Sequence, residues 1–278
     1  MIADWTTPKH SLKRKHVAMA ITYAEYLKLD GLLNQQEVLS NPPEHDELLF
    51  IVIHQAYELW FKLVLHEFEK INRNFSEGDL FGAIHTFKRV RTVLKTLVSQ
   101  IDILETMTPM SFTSFRDRLE TASGFQSAQF REVEFALGYK RAKMLEYVKQ
   151  DAPQRVDLER RLNERSVVDF FYDFLETRGV PIPAELRQKD VAAPTLPSEA
   201  LQDELLKLYR ERNEMGILFE LMTDCDEGLQ EWRYRHIKLV ERTIGGKSGT
   251  GGSLGVDFLK RSLFQPVFPD LWAIRNRL

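Results

Sequence analysis

The sequence predicts an all-α protein, a helical bundle domain with a small helical, Pro-rich insertion. Two observations predict it: apolar residues recur at helical spacing over long stretches, and no stretch sustains the alternation of a strand. The longest signal runs from Glu47 to Ile71. There Phe50, Ile53, Tyr57, Trp60, Val64, Phe68 and Ile71 fall at steps of three and four, with a second stripe of Phe50, Tyr57, Phe61 and Leu65 beside it. Leu48 to Ile53 is apolar throughout, so the first turns are buried on every side and His54 faces protein or a cavity.

The other elements follow in order. Residues 1–16 read as a loose arm, and Val17 to Leu33 as a short helix bringing Tyr23, Tyr26 and Leu27 within a turn of one another. Asn41-Pro42-Pro43 breaks the chain before the central helix, for which Asp46 is a candidate N-cap. Leu80 to Leu104 is a long helix. Thr108-Pro109 opens another, carrying Phe112, Phe115 and Arg116 and ending near Ser123-Gly124. One more helix is expected through Phe130, Val133, Leu137 and Leu145. Residues 151–198 change in character, with a charged helix ending in Phe170, Phe171 and Phe174 and then a Pro/Ala-rich connector; this reads as an insertion on one domain spanning 1–278. Two helices are expected after it, Glu199 to about Met222 and Asp226 to about Ile244. Gly245-Gly246 closes the second and begins a glycine-rich flap over 245–255.

Composition narrows the function. The 278 residues are 43% hydrophobic, ample for a sizeable core, and the net charge of −3 provides no basic footprint for nucleic acid or an anionic membrane. No window approaches the roughly 18 uncharged apolar residues of a membrane span. The single cysteine, Cys225, excludes an intramolecular disulfide and fits a reducing cytoplasm.

Two imidazoles sit in apolar helical stripes: His54, and His236 between Trp232, Arg233, Leu239 and Val240. Taken singly, each is more often a core residue hydrogen-bonded to a carbonyl than a ligand. Neither has the Asp, Glu or Cys partners of a zinc or di-iron site at ligand spacing. A lone imidazole in an apolar cleft also suits haem, which asks the protein for one axial ligand; on residues alone that is the less common reading. Arg116 reads most simply as an exposed arginine paired with Glu120, and more sharply as a bidentate clamp on a carboxylate. Gly246-Lys247-Ser248 is no phosphate loop, because Glu241 stands where the motif needs glycine and the segment closes a helix.

Four blocks carry a resemblance: FIVIHQAYELWFK, FRDRLETASGFQSAQFREVEFALG, WRYRHIKLVERTIG and GTGGSLG. In this order they resemble the tryptophan 2,3-dioxygenase family over nearly the whole chain from Tyr23. The resemblance implies one haem b per subunit, held between helices with His236 as the axial ligand of the iron. It implies O2 and L-tryptophan as substrates and N-formyl-L-kynurenine as product, the first step of tryptophan degradation by the kynurenine route. His54 would be the catalytic residue, hydrogen-bonding the indole N–H, with Phe50 and Ile51 beside the ring. Arg116 would hold the carboxylate, with Phe112 and Ser123 nearby and Thr250 closing over the ammonium and carboxylate. Tyr23, Tyr26 and Leu27 would reach a neighbouring subunit's site in a cytoplasmic homotetramer. Two positions depart from the family's pattern: Phe112 replaces a tyrosine found in some members, and Leu254 stands where a small residue is expected. The rival readings are a paralogue adding one oxygen to a substituted indole or tryptophan derivative, and a non-catalytic haem sensor.

Overall fold

A computed structural model describes residues 20–120, 122, 124–247 and 256–278. The expected arm, Ser123, Thr250, Leu254 and most of the glycine-rich flap lie outside the described residues. All regular structure among those described is helical: α1 Tyr23–Leu27, α2 Leu29–Leu33, α3 His45–Ser76, α4 Leu80–Leu104, α5 Pro109–Arg116, α6 Ala128–Ala136, α7 Pro153–Asn163, α8 Val167–Thr177, α9 Ala184–Arg187, α10 Glu199–Glu211, α11 Asn213–Ile244, α12 Val256–Lys260 and α13 Pro269–Ala273. The chain divides into two compact units, residues 1–37 and 38–278.

In the first unit the expected single helix is two short ones, parted at Lys28, whose φ of 54° puts it in the left-handed region. Thr22 and Glu25 form a capping box at its start. No residue of α1 or α2 is buried, so Tyr23, Tyr26 and Leu27 are not the core face of their helix.

The second unit is built on α3, α4 and α11. α4 packs along both of the others, and α8 and α6 cover further faces of α3. Phe75, Phe87, Phe174 and Phe219 are fully buried in one continuous core, each contributing about 1.5–3 kcal/mol by leaving water. Gly228 of α11 meets α4, where a β-carbon would lie 3.2 Å from Leu94 Cβ. Against the expectation that no window approaches a membrane span, α3 is long and apolar enough, by length and composition, to cross one. It also carries Glu58 and Lys62 mid-length, and its buried face packs on α4 and α8; its first turns are not buried on every side as expected, because Leu48 and Val52 lie on the exposed face.

Several boundaries differ from expectation, each for a local reason. α3 starts at His45, before the candidate cap Asp46. Its first turn is tied down by Glu47, which accepts from Leu39 N (2.8 Å) and Ser40 N (3.0 Å). α5 ends at Arg116 in a 3-10 turn, Asp117–Leu119, not near Ser123. α6 stops before Leu145, because the chain turns at Gly138 with φ 90°, where a β-carbon would stand 2.5 Å from Thr195 Oγ1. The charged helix and its aromatic end are separate: Ser166 and Asp169 form a capping box that begins α8 anew. α11 runs unbroken through the Thr223–Asp226 stretch, and the break falls at Arg212. Those turn-forming side chains are used up elsewhere: Thr223 donates to Phe219 O (2.8 Å), and Asp226 accepts from Val267 N and Phe268 N (both 2.9 Å).

Candidate functional site

α3, α5, α6 and α11 line a largely apolar cavity of about 210 Å³. A single water needs roughly 10–15 Å³ by the same measure, so the space suits a larger ligand. The walls bring together five predicted site residues: Phe50, His54, Phe112, Arg116 and His236. Ile51, on α3, is not among the lining residues. Tyr23, Tyr26 and Leu27 sit on α1 with 75%, 73% and 40% of their surface exposed.

His54 is held by its own helix. Its Nδ1 lies 2.7 Å from Phe50 O. A carbonyl can only accept, so Nδ1 carries the proton and Nε2 is left as an acceptor. Burial lowers the pKa of His54, opposed by the Phe50 carbonyl and the charge of Glu58. Gln100 of α4 donates to Ile53 O (3.0 Å), and Tyr57 donates to Leu97 O (3.1 Å), fixing this turn of α3 against α4.

His236 lies in the α11 wall, its ring stacked on Trp232 at 5.1 Å with 3° between planes. Burial, then the charges of His54 and Arg131, push its pKa down to about 4, so near neutral pH it presents an uncharged nitrogen. Arg116 comes from the last turn of α5, which Thr108 caps and which Phe112 and Phe115 seat against Phe50 at 5.8 and 5.7 Å. Placing a guanidinium on an apolar wall suits capture of an organic carboxylate.

Sequence reasoning missed a charged cluster along the same wall. Glu134, fully buried, accepts from Arg131 (2.8 Å), Arg233 (2.8 Å) and Arg141 (2.5 Å). Burial alone would raise its pKa, but the three guanidiniums hold it at about 2. Arg141 and Arg233 both lie over the Tyr139 ring, at 4.6 and 4.9 Å. The only sequence signal was the charged run Arg131, Glu132, Glu134 interleaved with the apolar Phe130, Val133 and Phe135.

Comparison with known proteins decides the family. A profile described as tryptophan 2,3-dioxygenase matches residues 9–166 and 193–278. The chain belongs to the tryptophan 2,3-dioxygenase family. It is 51% identical over 262 residues to the tryptophan 2,3-dioxygenase of Herpetosiphon aurantiacus, covering 94% of this chain and 100% of that relative. Tryptophan 2,3-dioxygenases of Anaeromyxobacter sp. (strain K) and Kineococcus radiotolerans are 49% and 44% identical, over 93% of this chain and 97% and 91% of theirs. The family profile passes over residues 167–192, which contain α8 and α9.

Proposed function

We propose that this chain is a haem-dependent dioxygenase that inserts both atoms of O2 into L-tryptophan to give N-formyl-L-kynurenine. The observation that carries it is one apolar cavity holding His54, with Nε2 as an acceptor, a neutral His236, and Arg116. The indole N–H is a donor only, so it complements His54 Nε2, while the amino-acid carboxylate complements Arg116. The apolar walls contributed by Phe50, Phe112 and Phe130 exclude water and pack on an indole face.

The residues present fit haem b. His236 offers an uncharged nitrogen, and no group of three His, Cys, Asp or Glu side chains among the described residues could hold a bare metal ion. A cofactor bringing four nitrogens of its own needs only that one. Arg131, Arg141 and Arg233 share the single carboxylate of Glu134, and the Nε atoms of Arg141 and Arg233 are buried without hydrogen-bond partners. This cationic wall suits the carboxylates that haem carries. When bound, haem supplies the binding and activation of O2. The protein's part would be to hold and orient the indole: His54 would fix the ring through the indole N–H, Arg116 the carboxylate end, and the phenylalanines the ring plane. His54 orients the indole without acting as an obligatory base, because the indole N–H is a weak acid.

Tyr23, Tyr26 and Leu27 on α1, together with Leu48, Val52 and Leu59 on α3, expose apolar side chains suited to contacts between subunits. The homotetramer in which α1 reaches a neighbouring site rests on the family resemblance, and these side chains would be available to it. Ser123 and Thr250 keep their proposed substrate roles on resemblance alone, and residues 151–198 are read as an insertion on the bundle.

Product mass with isotopically labelled O2 tests the reading. N-formyl-L-kynurenine carrying two labelled oxygens is the expected result. One labelled oxygen, or no turnover of L-tryptophan by haem-loaded protein, would overturn it.

A further inference from the structure

Among the described residues lining the cavity, four carry guanidinium groups (Arg116, Arg131, Arg141 and Arg233) and only Glu58 carries a carboxylate. Glu58 follows His54 by one helical turn on α3, so the two side chains share a face. It is held in place: Gln129 of α6 donates its Nε2 to Glu58 Oε2 at 2.8 Å and to the Glu58 carbonyl at 3.1 Å. The other charged or titratable groups lining the cavity with His54 are Tyr57 on α3, Arg116 on α5, Arg131 on α6, Arg141 after α6, and Arg233 and His236 on α11. None of these is anionic near neutral pH. Glu58 is the negative charge that, with the Phe50 carbonyl, opposes burial at His54.

We propose that Glu58 is a positioning residue for the reaction: its charge, fixed in place by Gln129, strengthens His54 Nε2 as the acceptor of the indole N–H. A nearby negative charge makes the electrostatic potential at the imidazole acceptor more negative, which favours an N–H dipole pointing at it. The proposal rests on the tryptophan reading above.

Glu58→Gln tests it, because glutamine keeps the size and an oxygen able to accept from Gln129 while losing the charge. The measurements are made on haem-loaded enzyme whose haem content and absorption spectrum match wild type. The first is the pH profile of L-tryptophan binding. The second compares kcat/KM for L-tryptophan with that for 1-methyl-L-tryptophan, which has no indole N–H to donate. In the variant the acidic limb should move down by roughly half a pH unit or more, since removing a nearby negative charge makes His54 harder to protonate. The kcat/KM for L-tryptophan should fall about three- to tenfold, and that for the methylated substrate by less than about twofold. Glu58→Asp, which keeps the charge, should restore the limb towards wild type. An unmoved limb, or an equal loss for both substrates, would overturn the role of Glu58 in an enzyme that still turns over tryptophan. Wild-type enzyme inert towards L-tryptophan would instead overturn the functional reading and this proposal with it.

Discussion

At the scale of single residues, chemistry here depends on which atom of a side chain is left over once the fold has used the rest. His54 spends Nδ1 on Phe50 O and keeps Nε2 for a ligand. Arg116 brings a planar fork that lysine cannot imitate. Arg116→Lys should lower kcat/KM for L-tryptophan at least tenfold, because losing a charged hydrogen bond costs roughly 1.5–3 kcal/mol. Tryptamine, which lacks the carboxylate, is the control. Its kcat/KM should change little, and an equal loss on both substrates would make Arg116 a structural residue. His54, His236 and Arg116 were legible in the sequence through the family's long blocks. Glu58 and Glu134 did not stand out, because their side-chain partners, Gln129 and Arg233, stand 71 and 99 residues away.

At the scale of elements, α3 and α4 were readable almost to their ends, since their apolar stripes run for seven turns or so without an interruption. The errors fell where a polar side chain or a glycine was read without its tertiary partner. Thr223 and Asp226 look like a turn and are mid-helix, while Arg212 carries no breaking signal and sits at the break. Gly228 is the converse case, an unremarked glycine at the crossing of α11 with α4. Gly228→Val should destabilise the protein by about 1–3 kcal/mol, because the Leu94 Cβ at 3.2 Å belongs to a helix wall that cannot yield as a flexible chain end would. Urea denaturation followed by circular dichroism checks this. A midpoint equal to wild type would mean that the two helices can part without cost.

At the scale of the whole molecule, Glu134 joins α6, α11 and the segment after α6 through three arginines, and Arg233 extends the tie to Gln265 O (3.0 Å). Its pKa is about 2 when folded against 4.5 as the ordinary value. The sign follows: the cluster's contribution is fully present above pH 4.5 and is lost as pH falls from there towards 2. At 1.36 kcal/mol per pH unit the loss is on the order of 3 kcal/mol. Glu134→Gln should therefore be less stable than wild type at pH 7, with the gap between their urea midpoints closing as pH is lowered from 4.5 towards 2. A gap independent of pH over that window would show that Glu134 is not the titrating group.

The sequence by itself determined the all-α class, two of the three long helices (α3 and α4) and the family. These depend on periodicity within one element and on blocks of contiguous residues, both of which are local. Only the tertiary structure decided that Phe50, His54, Phe112, Arg116 and His236 line one cavity, that His54 keeps Nε2 as its acceptor, and that three arginines converge on one buried carboxylate. The reason is physical. A pKa, a tautomer or the partner of a buried charge is set by groups brought within a few ångströms by folding, and distance along the chain carries no record of them.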